Sequence, residues 1–236
     1  MTSRRRLMMQ AVNRYHVDRN GEITDDWDTI IANINAGNEK DLYKVGSYKP
    51  IEIDGITYRA ELAGFAVDVD NNSNPVSTSW IFVELSARAE ECIKSQGMVS
   101  GGTKYEYSFD FAWKFFNKIP NPVHKNIKLA MKTNYIASTN ASGGCSVNSS
   151  LTVSRWLWVP STTELESGVY SIGTINPDSL IKKISGTDTV SKWPTCTLGY
   201  NGPDDVGRLD QIGEDGLINS AVTAGGYMHQ CFGFCI

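Results

Sequence analysis

The chain has 236 residues, a formal net charge of −4, and an ordinary globular balance of 41% hydrophobic and 20% charged residues. A chain of this length can bury a sizeable core within one large domain, without metal ions or disulfides to hold it together. The acidic balance argues against a nucleic-acid-binding protein, and no apolar window approaches the ~20 residues that a membrane helix needs.

Residues 1–22 are predicted to form an N-terminal anchoring arm ahead of a single domain over residues 23–236. The arm is polar and basic, with a run of arginines at Arg4, Arg5 and Arg6 and no sustained periodicity. Its apolar stretch is too short for a secretory signal peptide, so we expect synthesis and folding in a cytoplasm. The five cysteines are scattered and lack metal-ligand spacing, which indicates neither a disulfide framework nor a zinc site.

The first predicted elements of the domain are a helix and a hairpin. Asp25 or Asp26 caps the helix and Gly37 ends it. The apolar face of the helix has four residues at helical spacing, Trp27, Ile30, Ile31 and Ile34. Asp54-Gly55 predicts a two-residue hairpin turn, and the segment STSWIFVEL predicts a further strand.

The middle of the chain is predicted to contain two helices. The first has an apolar stripe of Phe109, Ala112, Trp113 and Phe116. Asn121 and Pro122 are expected to open the second helix as its cap and first residue. The buried face of this second helix is predicted to consist of Val123, Ile127, Ala130 and Met131. His124 is expected to face solvent, and residues 138–150 are predicted to form a loop of small residues.

After residue 150 the pattern changes to short β-segments, namely RWLWVP, SLIKKI, KWPTCTLGY, GRLDQIGEDGLIN and HQCFGFCI. Helices and strands are therefore segregated along the chain, which indicates an α+β fold with two to three helices and short antiparallel strands. Trp156 and Trp158 have the same parity, so both indoles are predicted to lie on one face of a strand. Core packing is the simpler interpretation of the pair, and stacking on a sugar is the alternative. Glu164 is expected to close a capped turn after Pro160.

Catalytic motifs are scarce in this sequence. It contains neither a GxSxG elbow nor a glycine-rich phosphate loop, and we predict no catalytic residues, no cofactor and no metal ion. The segment DVDNNSNPV partly imitates a calcium loop through Asp68, Asp70 and Asn72. The turn glycine and the closing glutamate of such a loop are missing, so a polar turn explains the segment more simply.

The segment LWVPSTTEL resembles the LWLPS…E motif of a domain of unknown function that is common in gut bacteria, their prophages and phages. Further matching segments follow in the family's order from about residue 25, namely WDTIIANINAGN, YKVGSYKPIEIDGITYRAELAGFAVDVD, FAWKFFNKIPNPVHKNIKLAMKT and the terminal CFGFCI. The family has a C-type-lectin-like fold. This chain departs from its pattern at GGTKYEYSFDF, which lacks the usual Trp and Arg, and at KWPTCTL, which lacks the usual Arg.

The resemblance implies a C-type-lectin-like domain that binds through loops on a rigid scaffold, with the paired indoles and the terminal Gly-Phe-Cys-Ile in its interior. The candidate loops are 68–78, 97–106, 138–150 and 199–207. The candidate binding residues are Tyr105, Tyr107, Tyr200, Asn72 and Asn140.

The function that the resemblance implies is that of a non-enzymatic phage virion protein, as a fibre, tail-tip, baseplate or head-decoration subunit. It would be a homo-oligomer that is made in the host cytoplasm and located in the virion. Its partners would be other virion proteins and a host cell-surface glycan or protein, with neither nucleic acid binding nor membrane insertion. Two alternatives remain. A carbohydrate-active enzyme would pair Glu164 with an aspartate such as Asp110 or Asp205, and a bacterial ligand-binding module would need export.

Overall fold

The computed structural model describes residues 15–83, 113, 115–139, 145–158, 160, 164, 193–199, 208–212, 218–223 and 232–236. The helices are α1 (Trp27–Asn35), α2 (Glu39–Leu42) and α3 (Val123–Asn126). The strands are β1 (Tyr48–Ile53), β2 (Ile56–Phe65), β3 (Thr78–Val83), β4 (Ala130–Thr139), β5 (Cys145–Arg155), β6 (Trp193–Gly199), β7 (Arg208–Ile212), β8 (Ile218–Thr223) and β9 (Gly233–Cys235).

The described strands form antiparallel sheets of four, two and three strands. Their orders are β1-β2-β3-β9, β4-β5 and β6-β7-β8. The described part of the chain is therefore a mixed α/β fold with few helices and antiparallel sheets, as the segregation of the predicted elements indicated.

Helix α1 confirms the sequence prediction because its start and its end are set by local signals. The Asp26 carboxylate caps the helix by accepting a hydrogen bond of 2.8 Å from the backbone N–H of Thr29. After Ala36, Gly37 takes a φ of +73°, a left-handed conformation that glycine adopts without strain. Three isoleucines of the predicted apolar face are buried, Ile30, Ile31 and Ile34.

The predicted hairpin is also confirmed. Asp54 and Gly55 have φ values of 57° and 77°, which matches the turn type that Asp-Gly favours between twisted strands. The turn sets the register of β1 against β2, in which Ile53 lies opposite Ile56. Strand β3 then pairs with β2, and the C-terminal strand β9 completes the sheet on the other side of β3.

Aromatic rings fill the core of the four-stranded sheet. The rings of Trp80 and Phe234, which lie opposite each other on β3 and β9, are stacked at 6.2 Å between centroids. Trp27 contacts Trp80 edge-on at 5.2 Å and joins α1 to the sheet. Phe232, Phe234, Cys235 and Ile236 are all buried, so the prediction that the terminal segment belongs to the interior is confirmed.

Both edges of this sheet are covered by short backbone pairings. At the β1 edge, the Tyr48 N–H donates to the carbonyl of Gly21, and the Tyr48 carbonyl accepts from the Ile23 N–H. At the β9 edge, the Lys128 N–H donates to the Cys235 carbonyl, and Trp158 exchanges two backbone hydrogen bonds with Gly233.

The second predicted helix of the middle segment is mostly wrong. Pro122 rather than Asn121 is the cap of α3, and the helix ends at Asn126. Ala130 and Met131 lie in β4, where Met131 donates a backbone hydrogen bond to Val69. Pairing with β5 over the whole strand outweighs the helical propensity of the segment KLAMK. The predicted loop over 138–150 is likewise wrong at both ends, which belong to β4 and β5.

Residues 15–22, the described part of the predicted arm, lie against the domain. Val17 pairs with Ile23, and the His16 N–H donates to the carbonyl of Leu42. The described residues exclude Arg4, Arg5 and Arg6, Phe109 and Ala112, the loop 97–106 and the segment SLIKKI.

Candidate functional site

Most of the predicted binding residues lie outside the described residues. This is the case for Tyr105, Tyr107, Tyr200 and Asn140. Asn72 is described and exposed, in the turn between β2 and β3. Its backbone N–H donates a hydrogen bond of 2.8 Å to the Asp70 carboxylate.

The residues that imitate a calcium loop have separate roles. Asp70 is a turn residue whose pKa is lowered by hydrogen bonds from the backbone N–H groups of Asn74 and Asn72. Asp68 is buried, and its carboxylate contacts Ser79 and Lys132. Among the described residues, no group of three or more His, Cys, Asp or Glu side chains is arranged to hold a metal ion.

A cluster of four rings lies partly at the surface where the helical residues before α3 meet the end of β5. We call Trp113, Phe116, His124 and Trp156 the aromatic patch. The Trp156 ring is stacked on Phe116 at 5.4 Å and lies 5.9 Å from the ring of Trp113. Trp113 is 44% exposed and Trp156 is 37% exposed, whereas Phe116 is buried beneath them. Two indoles therefore present ring surface to the solvent side by side.

The prediction that Trp156 and Trp158 share a face is wrong. Strand β5 ends at Arg155, and a bend at Trp156 and Leu157 breaks the alternation of side chains. Leu157 and Trp158 are buried after the bend, while Trp156 is turned outward. Core packing is the correct interpretation for Trp158 and the wrong one for Trp156.

His124 does not face solvent as predicted. Its ring centroid is 4.3 Å from that of Phe116, because the first turn of α3 packs against the aromatic patch. Within the part of the chain that the structure describes, the buried Nε2 atom of His124 has no hydrogen-bond partner. Trp113, which belongs to the predicted apolar stripe of the first middle helix, is exposed, and Phe115 is buried instead.

A lysine lies in the interior between two carboxylates, and we call Lys132, Asp68 and Glu164 the lysine cluster. Lys132 Nζ donates hydrogen bonds to Asp68 Oδ1 and, at 2.9 Å, to Glu164 Oε1. The side chains of Lys132 and Asp68 are 4% and 5% exposed, and that of Glu164 is 24% exposed. The ammonium also lies 3.7 Å from the ring centroid of Trp158.

The lysine cluster has further polar neighbours on β3 and β9. Ser79 Oγ donates a hydrogen bond of 2.6 Å to Asp68 Oδ2, and the Cys235 thiol lies 3.6 Å from the same oxygen. Burial raises the pKa of the Cys235 thiol to about 12, and the negative charge of Asp68 contributes in the same direction. The Asp68 carboxylate therefore has two hydrogen-bond donors beside it, Ser79 and Cys235, and one cation, Lys132.

Competing effects set the protonation of Lys132. Burial acts to lower the pKa of Lys132, but the charges and hydrogen bonds of Asp68 and Glu164 outweigh it, so the net shift is upward. The ammonium form is consequently the ground state of the cluster.

Sequence reasoning selected Glu164 but missed its partner. The proposed aspartates Asp110 and Asp205 lie outside the described residues, and the structure brings Glu164 to Lys132. The turn that Glu164 was expected to close includes Ser161 and Thr162, which also lie outside the described residues. Sequence analysis did not single out Lys132, which directly follows the residues assigned to the second predicted helix.

His16 belongs to a small network that ties residues 15–22 to α1. Its Nδ1 atom lies 2.7 Å from Asp25 Oδ2, which also accepts a hydrogen bond of 2.8 Å from the Tyr43 hydroxyl. Asn33 donates a further hydrogen bond of 2.8 Å to that hydroxyl. Burial raises the pKa of the Tyr43 phenol, and the network keeps it protonated beside Asp25.

No protein-family model, curated protein or solved structure matches this chain. Among the residues that the structure describes, no helix has both the length and the apolar character required to cross a membrane.

Proposed function

We propose that this chain is a non-enzymatic phage virion protein, whose C-type-lectin-like domain binds a host surface or another virion protein. The support comes from the order of the LWVPSTTEL and CFGFCI motifs and from the mixed α/β architecture with antiparallel sheets. A C-terminal strand that pairs within the main sheet suits such a scaffold.

The observation that carries the proposal is the pair of exposed indoles in the aromatic patch. A Trp residue that keeps more than a third of its surface exposed leaves apolar area available to a partner. Neighbouring indoles 5.9 Å apart offer a shape that suits the apolar face of a sugar ring or an apolar protein side chain. Phe116 and His124 support the indoles from below, which limits the ordering cost on binding.

The place of the chain in a particle is tested by immunogold electron microscopy of purified phage particles that encode it. We expect gold label at the tail, baseplate or head surface, and a homo-oligomer by light scattering of the purified chain. Recovery of the chain only in soluble host extract, together with turnover on a glycan panel, would overturn the proposal in favour of a carbohydrate-active enzyme.

The role of the aromatic patch is tested by Trp156→Ala, measured as binding of the purified chain to host cells and to immobilised surface glycans. A Trp at the centre of an interface contributes enough that its loss weakens binding by roughly 30-fold or more. Trp113→Ala should weaken binding in the same assay, because both rings form the exposed surface.

Tyr15→Ala is the matched control, since Tyr15 is 41% exposed and is not part of the aromatic patch. This variant should bind like the wild type. Equal binding by the wild type and both Trp variants, with folding unchanged by circular dichroism, would exclude the aromatic patch as the binding surface.

A further inference from the structure

Three groups that can form an amide are held together in the interior. Lys132 brings a primary amine from β4, and Asp68 brings a carboxyl from the segment after β2, 64 residues away in sequence. The two side chains are in direct hydrogen-bond contact and almost completely buried. Glu164 brings a second carboxyl to the same nitrogen at 2.9 Å, and its partial exposure connects the cluster to solvent.

We propose that Lys132 and Asp68 react with each other to form an intramolecular isopeptide bond, with Glu164 as the catalytic residue that transfers the protons. This inference does not depend on the proposed virion function.

The reaction is a condensation that needs no other reagent. The Lys132 ammonium first gives one proton to Asp68 through Glu164, so that both reacting groups are neutral, and Nζ then attacks the carboxyl carbon of Asp68. A C–N bond forms, the nitrogen gives a second proton to Glu164, and Glu164 passes this proton to the hydroxyl group that leaves the tetrahedral intermediate. One C–O bond breaks, one water molecule leaves, and the product is a neutral amide between the two side chains.

The hydrogen bonds around Asp68 distinguish its two oxygens. Oδ1 faces the Lys132 amine and is the oxygen that leaves as water. Oδ2 accepts a hydrogen bond of 2.6 Å from Ser79 and lies 3.6 Å from the Cys235 thiol. These donors are placed where negative charge develops on the carbonyl oxygen in the intermediate, which stabilises it.

Burial and proximity both favour the reaction. Groups fixed in contact react as though at a very high concentration, because the entropy of bringing them together is already lost on folding. The ammonium form is the ground state, so the neutral pair is the minor species that reacts, and burial of the two groups reduces the energy difference between the charged and the neutral pair. The Trp158 ring over Lys132 limits the access of water to this nitrogen.

The intact mass of the purified full-length chain tests the proposal. We expect the folded wild type to be lighter than its sequence mass by one water molecule. Tandem mass spectrometry should find the peptide containing Lys132 joined to the peptide containing Asp68. A folded wild type that keeps its full mass after prolonged incubation would overturn the proposal, and so would a water loss that maps to any other pair, including Lys132 with Glu164.

Glu164→Gln tests the role of the proton-transfer residue and keeps the side-chain shape. Loss of a general acid–base group should slow the appearance of the lighter species by roughly 100-fold or more. Glu52→Gln is the matched control, because Glu52 is exposed on β1. It should react at the wild-type rate. If Glu164→Gln forms the lighter species at the wild-type rate, Glu164 has no part in the mechanism. The mass of the wild type shows whether the bond forms, even where a variant folds poorly.

Discussion

At the scale of single residues, Gly233 has no room for a larger side chain. A Cβ atom added there would lie 2.3 Å from Cη2 of Trp158, which is fully buried and cannot move aside. The backbone hydrogen bonds between Trp158 and Gly233 hold the two residues at this distance. The close contact explains why a glycine occurs in the middle of a buried aromatic strand.

We therefore predict that Gly233→Ala destabilises the fold by roughly 2 kcal/mol or more, as overpacking of a dense interior does. The measurement is the free energy of unfolding in urea. Ser154→Ala, at an exposed position of β5, is the control and should leave this free energy nearly unchanged. A Gly233→Ala variant as stable as the wild type would show that the indole can shift.

Cys235 gives a prediction about alkaline pH. Its thiol pKa is raised from 9.0 to about 12, so the folded state holds the proton more tightly than the unfolded state. The contribution of this thiol to stability is complete below a pH of 9.0 and is lost as the pH rises to about 12.

The check is the free energy of unfolding of the wild type and Cys235→Ala across that pH range. The difference between the two proteins should shrink or change sign as the pH rises, because only the wild type loses the thiol contribution. A constant difference would contradict the raised pKa.

At the scale of elements, local signals predicted α1 and the β1–β2 hairpin correctly. A carboxylate at the cap, a glycine at the end and an Asp-Gly turn act through neighbouring atoms, so their effect is the same in any context. Strand β4 could not be predicted in this way. Its first residues alternate poorly, and the strand exists because β5 pairs along its full length.

The bend after Arg155 explains the error in the predicted orientation of Trp156. Parity assigns two side chains to the same face only while the strand continues, and β5 ends one residue before Trp156. Trp113 and Trp156 could both be selected from the sequence as prominent aromatic residues, but no local signal indicated that Trp156 turns outward. Trp113 approaches it only in the folded chain.

At the scale of the whole molecule, the lysine cluster was beyond sequence reasoning. Its residues are separated by 64 and 32 positions, and none lies in a recognisable motif. Tertiary structure alone places the amine between the carboxyls. Glu164 could be selected as an isolated acid near the Trp pair, whereas its actual partner required the fold.

The proposed bond has a measurable effect on the stability of the whole chain. By the chain-entropy description used for disulfides, a bond that closes a 64-residue loop stabilises the folded state by roughly 4 kcal/mol. For a protein of this size, we expect the Tm of the wild type to exceed that of Glu164→Gln by roughly 10 °C.

Differential scanning calorimetry on both proteins checks this expectation, with Glu52→Gln as the reference for loss of a surface charge. The Glu164→Gln variant keeps Lys132 and Asp68 side by side but loses the Glu164 carboxylate beside Lys132, so the covalent link accounts for most rather than all of the expected difference in Tm. If mass spectrometry confirms the bond in the wild type and the wild type and Glu164→Gln nevertheless have equal Tm values, the bond does not restrict the unfolded chain enough to stabilise the fold.

The covered edges of the four-stranded sheet affect how closely copies of the chain can lie to one another. Open strand edges recruit neighbouring copies into continuous ribbons, which is how many β-proteins aggregate. At the β1 edge, the backbone of Tyr48 is hydrogen-bonded to Gly21 and Ile23, and Pro50 has no N–H to offer. At the β9 edge, the backbone is hydrogen-bonded to Lys128 and Trp158. Copies of this domain can therefore lie close together without their four-stranded sheets joining.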